Sequence, residues 1–297
     1  MIHPRVRKSL LSYGLLMPAF IVSTALIVFP LIVTFSNSLK PGASMNFSKN
    51  WAIPYSFSRY KEVITDARTW MVMLRSFVYL FGSLFPSYLL GLATALLLNR
   101  KFPGRRVFRT LAILPWAIPG VVASIMFVWM FDSTYGVMNF ILTKLRIIDE
   151  YKLWFYDPSL VMFSVILPTI WKGYPFFTIS ILASLQSISL DYYEAAEVDG
   201  CGAIRKFLHI TWPGIKETSV LSLILNGLWS FRVFDIIYST TKGGPNEATT
   251  TIAIQIYNEA FQYFDINKAS ILGVLAFFVS AIIVFIFYPI MNKETQL

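Results

Sequence analysis

Charge is scarce in this sequence: 14% of its 297 residues are Asp, Glu, Lys or Arg, against roughly 25% in an average soluble domain. A chain this poor in charge and 56% hydrophobic is not a soluble globular protein, and its mean hydropathy of +0.61 agrees. There is one cysteine, Cys201, which excludes an intramolecular disulfide framework. The only two histidines, His3 and His209, leave little for a His/Cys metal cluster, so metal catalysis is not expected. Acidic residues number 16 against 25 basic ones. Much of that basic excess lies at the edges of apolar blocks, where the positive-inside rule accounts for it without nucleic acid as a partner.

The apolar residues sit in long blocks, the pattern of a chain whose solvent is lipid. Segments near Leu11–Phe35, Met71–Leu98, Val107–Phe131, Leu160–Leu185, Thr218–Tyr238 and Ala269–Ile290 have the length and composition of membrane-crossing helices. They predict an all-α polytopic membrane protein of six helices. Arg5, Arg7 and Lys8 precede the first segment, and Arg100, Lys101, Arg105, Arg106 and Arg109 crowd the connection between the second and third. Both clusters belong inside, which also places the 187–216 connection and the tail with Lys293 in the cytoplasm. Lys40, Lys49, Arg59, Lys61 and Arg68 in the first outer connection run against this, but they are dispersed along a longer stretch. The apolar run after Lys8 exceeds the h-region of a secretory signal, so it reads as a retained first helix. Pro18, Pro30, Pro86, Pro115, Pro119, Pro168 and Pro175 fall inside or at the ends of these segments. Ladders broken at membrane depth need neighbours or a watery cavity to satisfy the freed carbonyls, which favours a machine with a pathway over an anchor.

The connection Asp191-Tyr-Tyr-Glu194-Ala195-Ala196-Glu197-Val198-Asp199-Gly200-Cys201-Gly202-Ala203-Ile204-Arg205-Lys206-Phe207-Leu208-His209-Ile210-Thr211-Trp212-Pro213 is too patterned for a mere linker. Asp191 with Glu194 three residues on is a capping-box-like start, Gly200 and Gly202 supply a turn, and Pro213 is expected to stop the second helix. The prediction is two short helices joined at a glycine corner and facing the cytoplasm. Small Ala195 and Ala196 permit a close backbone approach, and Glu194 and Asp199 offer charge-assisted contacts to a basic partner.

This stretch closely resembles the E-A-A-x-x-D-G-A-x(5)-F-x-x-I-x-x-P loop of permease subunits in binding-protein-dependent ATP-binding cassette (ABC) importers. Two positions depart from it: Cys201 stands where Ala is usual, and Trp212 where Leu is common. The resemblance implies the type I ABC importer permease fold, with residues 1–10 as a cytoplasmic N-terminus, 11–290 as the six-helix domain and 291–297 as a tail. It further implies that the 187–216 loop docks into an ATPase subunit, with Glu194, Ala195, Ala196, Asp199 and Gly200 at the contact. Phe207, Ile210 and Pro213 would support that contact. Along the chain, Leu97-Leu98-Asn99-Arg100, Gly104-Arg105-Arg106-Val107-Phe108-Arg109, Leu114-Pro115-Trp116-Ala117-Ile118-Pro119, Trp171-Lys172-Gly173-Tyr174-Pro175-Phe176 and Phe234-Asp235-Ile236-Ile237-Tyr238 with Thr241-Lys242-Gly243-Gly244-Pro245 resemble the maltose-type carbohydrate group. The implied partners are a second permease subunit, two ATPase subunits and a periplasmic or lipid-anchored solute-binding protein, working in a bacterial cytoplasmic (inner) membrane on a saccharide. No G-x-x-x-x-G-K-[ST] pattern occurs in this sequence, so ATP and Mg are expected on the ATPase chains, with no cofactor and no catalytic residue here.

An ionisable residue inside a span costs about 2.5 to 3.5 kcal/mol on insertion scales, so it should face a cavity or a partner. Lys172, Arg232 and Asp235 are such residues. Arg232 and Asp235, three apart, are expected to pair on one helix, whereas Lys172 has no acid within a turn of itself. Placed against the maltose-type permease, the substrate-pathway positions fall on Thr169, Lys172, Gly173, Phe176, Asn226, Trp229, Ser230 and Val233. Trp229 and Phe176 offer faces for sugar rings, while Asn226, Ser230 and Thr169 can bond hydroxyls; ordinary interhelical packing is the competing reading. Where a neutral-sugar relative has an apolar residue, this chain has Lys172. With Arg232 it suits an acidic saccharide such as an alginate-like uronate oligomer, the alternative being that Lys172 snorkels or pairs with the second permease. A proton-coupled secondary transporter is the rival function, and it would want more embedded acids than Asp235.

Overall fold

The computed structural model describes residues 16–292, with the side chains of Phe47 and of residues 286–292 left aside. His3, Arg5, Arg7, Lys8 and Lys293, the last four of which bear on orientation, lie outside that range. The described residues form helices and connections with no strand among them. Those up to Thr69 together with Ile256–Phe277 make one unit, and Trp70–Gln255 with those from Phe278 onward make another.

In the first unit, α1 runs over Leu16–Ser38 with no residue of its apolar window buried inside the chain. It carries a π turn at Thr24–Val28. The wider turn falls just ahead of Pro30, whose missing N–H leaves a gap that an i→i+5 bond from Phe29 to Thr24 bridges. The C-terminal carbonyls of α1 are taken up by side chains, because Asn267 Nδ2 donates to Asn37 O at 2.8 Å and Ser38 O at 3.0 Å. Beyond α1, Lys40 is buried with its Nζ 4.9 Å from the Tyr55 ring centroid and 5.6 Å from that of Trp51. Arg59 bonds Asp265, and Lys268 Nζ lies 2.8 Å from Glu259 Oε1.

The second unit is built on α2 (Ala67–Asn99), α3 (Arg105–Ala117), α4 (Gly120–Met130), α5 (Val137–Lys144), α6 (Val161–Ser187), α7 (Leu190–Val198), α8 (Trp212–Phe231) and α9 (Asp235–Thr240). Helices α2 and α6 meet through small residues. A Cβ on Gly91 would lie 2.9 Å from Tyr174 O and closer still to Phe177 Cβ, so the two backbones approach as only glycine permits. Tyr79, Phe131, Trp154, Phe155, Val165, Ile166, Ile237 and Ile254 form the buried apolar core. At its edge the fully buried Asn139 is saturated: Nδ2 donates to Asp132 O and Lys152 O, while Oδ1 accepts from Lys152 N and Trp154 Nε1.

Within the described residues each expected span is found as helix, with two differences. Val107–Phe131 is not one rod, because α3 and α4 meet at 98°. The cause is Pro119, which pushes Ile118 into an extended conformation (φ −76°, ψ 131°) and ends α3. Four helices, α1, α2, α6 and Ile266–Asn292 (α10), are long and apolar enough to cross a membrane, and the bent α3–α4 pair adds a fifth where it is counted as one broken span. The remaining segment, Thr218–Tyr238, is divided between α8 and α9. Its helix starts early, at Trp212, and takes in Lys216 and Glu217, which lowers its apolar character.

Candidate functional site: a coupling loop and a polar pathway

The 187–216 connection has the two-helix form expected, with changed details. α7 is capped by Ser189, whose Oγ accepts from Asp191 N at 3.2 Å and donates to Asp191 Oδ2 at 3.0 Å. The cap is therefore Ser189, one residue before the helix starts, and Asp191 is a first-turn acid favoured by the helix dipole. The corner is made at Gly200, which sits at φ +70° while Cys201 N bonds back to Ala196 O at 2.8 Å. Gly202 has ordinary extended geometry. Pro213 does not stop the second helix. Ala203–Lys206 passes through a π turn at Phe207–Thr211 straight into α8, with Trp212 N reaching Phe207 O. As at Pro30, the wide turn absorbs the missing proline donor. The loop is thus continuous with a membrane helix, and Ser184 Oγ donating to Gly214 O at 2.9 Å ties it to α6.

None of the α7 residues is buried. Leu190, Tyr192, Val198, Ile204 and Leu208 are all exposed, Val198 at 89%. Apolar side chains are bared around Glu194, Ala195 and Asp199, a pattern common to protein and membrane interaction surfaces. Between the two helices lies a groove of about 490 Å3 lined by Tyr192, Ala195, Ala196, Asp199, Cys201 and Arg205 among others. Lys206 Nζ closes the corner on Glu197 Oε1 at 2.7 Å, and that hydrogen bond, with the lysine charge behind it, holds the Glu197 carboxyl below its ordinary range. Phe207 and Ile210 are half-buried, and Pro213 is exposed.

The pathway candidates fall into two groups. Phe176 and Trp229 pack together with ring centroids 5.0 Å apart, joining α6 to α8. Gly173 sits opposite, where a Cβ would come 3.1 Å from Ser87 Oγ and 3.9 Å from Asn226 Nδ2. Trp229 and Arg232 are exposed, and Lys172 and Phe176 partly so. The polar positions turn inward instead: Thr169 bonds Tyr79, and Ser230 donates to Asn226 at 3.4 Å, all four being buried. Val233 packs on the apolar core.

One of the two embedded-charge expectations changes. α8 ends at Arg232, so Arg232 and Asp235 do not share a helix; Arg232 Nε donates to Leu228 O at 3.2 Å, while the Asp235 carboxylate lies against Gly120. Lys172, with no acid within a turn of itself as expected, donates from its Nζ to Trp116 O on α3 at 3.3 Å. No sequence spacing announced that contact, because it joins residues 56 apart. Nor do the described residues contain a group of three His, Cys, Asp or Glu able to hold a metal.

Residues 87–296 match the family of binding-protein-dependent transport system inner membrane components. The chain belongs to this family. It is a multi-pass membrane permease subunit, a transport component rather than an enzyme. It is 35% identical to the sulfoquinovosyl glycerol transport system permease protein SmoG of Agrobacterium fabrum, over 96% of this chain and 91% of that one. It is 32% identical to the trehalose/maltose transport system permease protein MalF of Thermococcus litoralis, over 92% and 90%. In fold it superimposes on a chain of a bacterial ABC transporter involved in the import of the acidic polysaccharide alginate, with a TM-score of 0.84 at 21% identity and 98% coverage of both chains. The type I permease fold is therefore the fold of this chain. For a permease of this family, the signals missed in the sequence were non-local ones: Trp116 behind Lys172, Gly120 behind Asp235, and Tyr79 behind Thr169.

Proposed function

We propose that this chain forms half of the translocation pathway of an ATP-driven saccharide importer and is driven through its 187–216 loop. The observation that carries the reading is the bare α7 surface: a helix with no buried residue, joined at the Gly200 corner to a second helix that runs on through a π turn into α8, suits a protein partner. That partner is an ATPase subunit, which holds the ATP and Mg. Glu194 and Asp199 take its basic groups, Ala195, Ala196 and Gly200 lie under its surface, and Phe207 and Pro213 brace the loop. A second permease completes the pore, and a soluble binding protein delivers cargo from the side opposite the loop, with both termini cytoplasmic. ATP drives such a cycle only by binding the closed ATPase pair more tightly than the open one, and the loop carries that difference into α6 and α8. Family membership favours this over a proton-coupled secondary transporter.

The cargo we infer is an oligosaccharide bearing acid groups. Lys172 spends one of its three donors on a backbone carbonyl and has no carboxylate partner among the described residues, while the Phe176–Trp229 pair beside Gly173 offers aromatic faces. Thr169, Asn226, Ser230 and Val233 then act as the packed wall behind that surface, and Arg232 as a second cation. The alginate importer's permease shares the fold at 98% coverage, and the relatives include a trehalose/maltose permease, so both cargo classes belong in the trial. The experiment is ATP hydrolysis by the complete reconstituted complex, its binding protein loaded in turn with acidic and neutral oligosaccharides. Stimulation by the acidic series that Lys172→Leu removes supports the reading. Stimulation by neutral sugars with Lys172→Leu unaffected returns Lys172 to a structural role.

A further inference from the structure

The break between α3 and α4 leaves two helix ends inside one apolar segment. α3 stops at Ala117 and α4 starts at Gly120, with Ile118 extended and Pro119 unable to donate. The last carbonyls of α3 carry a partial negative charge, and the first N–H groups of α4 a partial positive one. In lipid, such groups need partners. Two charged side chains, half-buried Lys172 and exposed Asp235, stand at these two ends, each with the complementary sign. The Lys172 ammonium meets Trp116 O, in the last turn of α3. The Asp235 carboxylate lies on the first residue of α4, so close that a Cβ on Gly120 would come within 2.8 Å of Cγ and nearer still to Oδ2. Buried Ser124 fixes the same corner, donating to Gly120 O at 2.8 Å and to Ile236 O at 3.4 Å, which holds α9 against the first turn of α4.

We propose that Lys172 and Asp235 are a pair of opposite charges that clamp the α3–α4 break, and that Asp235 is a positioning residue of the transport cycle. Its carboxylate fixes the direction of α4 at the point where the helix ladder is cut. Gly120 is glycine because the carboxylate occupies the place of its side chain. The assignment does not depend on the cargo being acidic, since both contacts are to the chain's own backbone. An exposed charge at a helix end shifts a conformational equilibrium by about 2- to 5-fold, a measurable bias on the geometry of this break.

The test is pulsed electron–electron resonance on the assembled complex, with spin labels at Leu111→Cys on α3 and Trp129→Cys on α4 in a Cys201→Ala background. Both labelled positions are exposed. A single narrow distance is expected for that background. Asp235→Asn keeps the shape and loses the charge, and it should broaden the distribution and lower ATP hydrolysis stimulated by the loaded binding protein. Gly120→Ala, which pushes the carboxylate away while leaving it charged, should broaden it too. Adding Asp235→Ser to Gly120→Ala relieves the clash but should leave the distribution broad, because the charge is still gone. An unchanged distribution in Asp235→Asn, or a return to the narrow one in the double variant, would show packing alone at this corner and overturn the clamp.

Discussion

Single polar side chains hold the connections of this molecule where its apolar surfaces cannot. Asn139 is the clearest case, since both ends of its amide are used and it lies fully inside. Replacing it with Ala strands buried Trp154 Nε1 and the part-buried backbone groups of Asp132 and Lys152, an unpaired buried group costing ~1–3 kcal/mol. Asn139→Ala is therefore expected to lower the thermal unfolding temperature in detergent, whereas substitution at exposed Asp149 or Glu150 should leave it unchanged. Sequence pattern could name Lys172, Arg232 and Asp235 as charges needing a reason, because embedded charges are rare. It could not name their partners, which lie across the fold. The i, i+3 pairing of Arg232 with Asp235 failed for a local cause: α8 stops at Arg232, and a spacing rule holds only while the helix continues.

Among elements, hydropathy located the apolar segments well, because lipid demands length and composition whatever the direction of travel. Direction was not legible in the same way. Pro119 was visible as a ladder-breaker, yet only the structure shows it turning α3 and α4 through 98° rather than kinking one rod. Pro30 and Pro213 had the opposite outcome, each absorbed by a π turn so that the helix runs on. The 187–216 connection was the most readable element in form, two short helices about a glycine corner, although Ser189 rather than Asp191 supplies the cap. Its corner depends on the left-handed backbone at Gly200, a conformation that costs an ordinary residue about 1–2 kcal/mol. Gly200→Ala should weaken ATPase association in a pull-down from detergent while Gly202→Ala, at ordinary geometry, leaves it near wild type. The Glu197–Lys206 bridge should not add pH dependence near neutrality. Its carboxyl is depressed, so its contribution is fully present above the unfolded carboxylate range and is lost only as pH falls through the lower folded value.

For the molecule as a whole, the proposed function is mechanical: an exposed loop, continuous through a π turn with α8 and tied to α6 at Gly214, would pass motion between an ATPase and the helices that carry Lys172, Phe176 and Trp229. The most direct test is ATP-dependent uptake by proteoliposomes holding the full complex, measured together with recovery of the ATPase subunit, for wild type and Glu194→Arg. Glu194 is exposed on α7 and has no structural work within the described residues. The variant is expected to insert and fold normally but to lose both the ATPase subunit and uptake. Uptake that persists without ATP, or an ATPase that remains bound and coupled to Glu194→Arg, would contradict that claim.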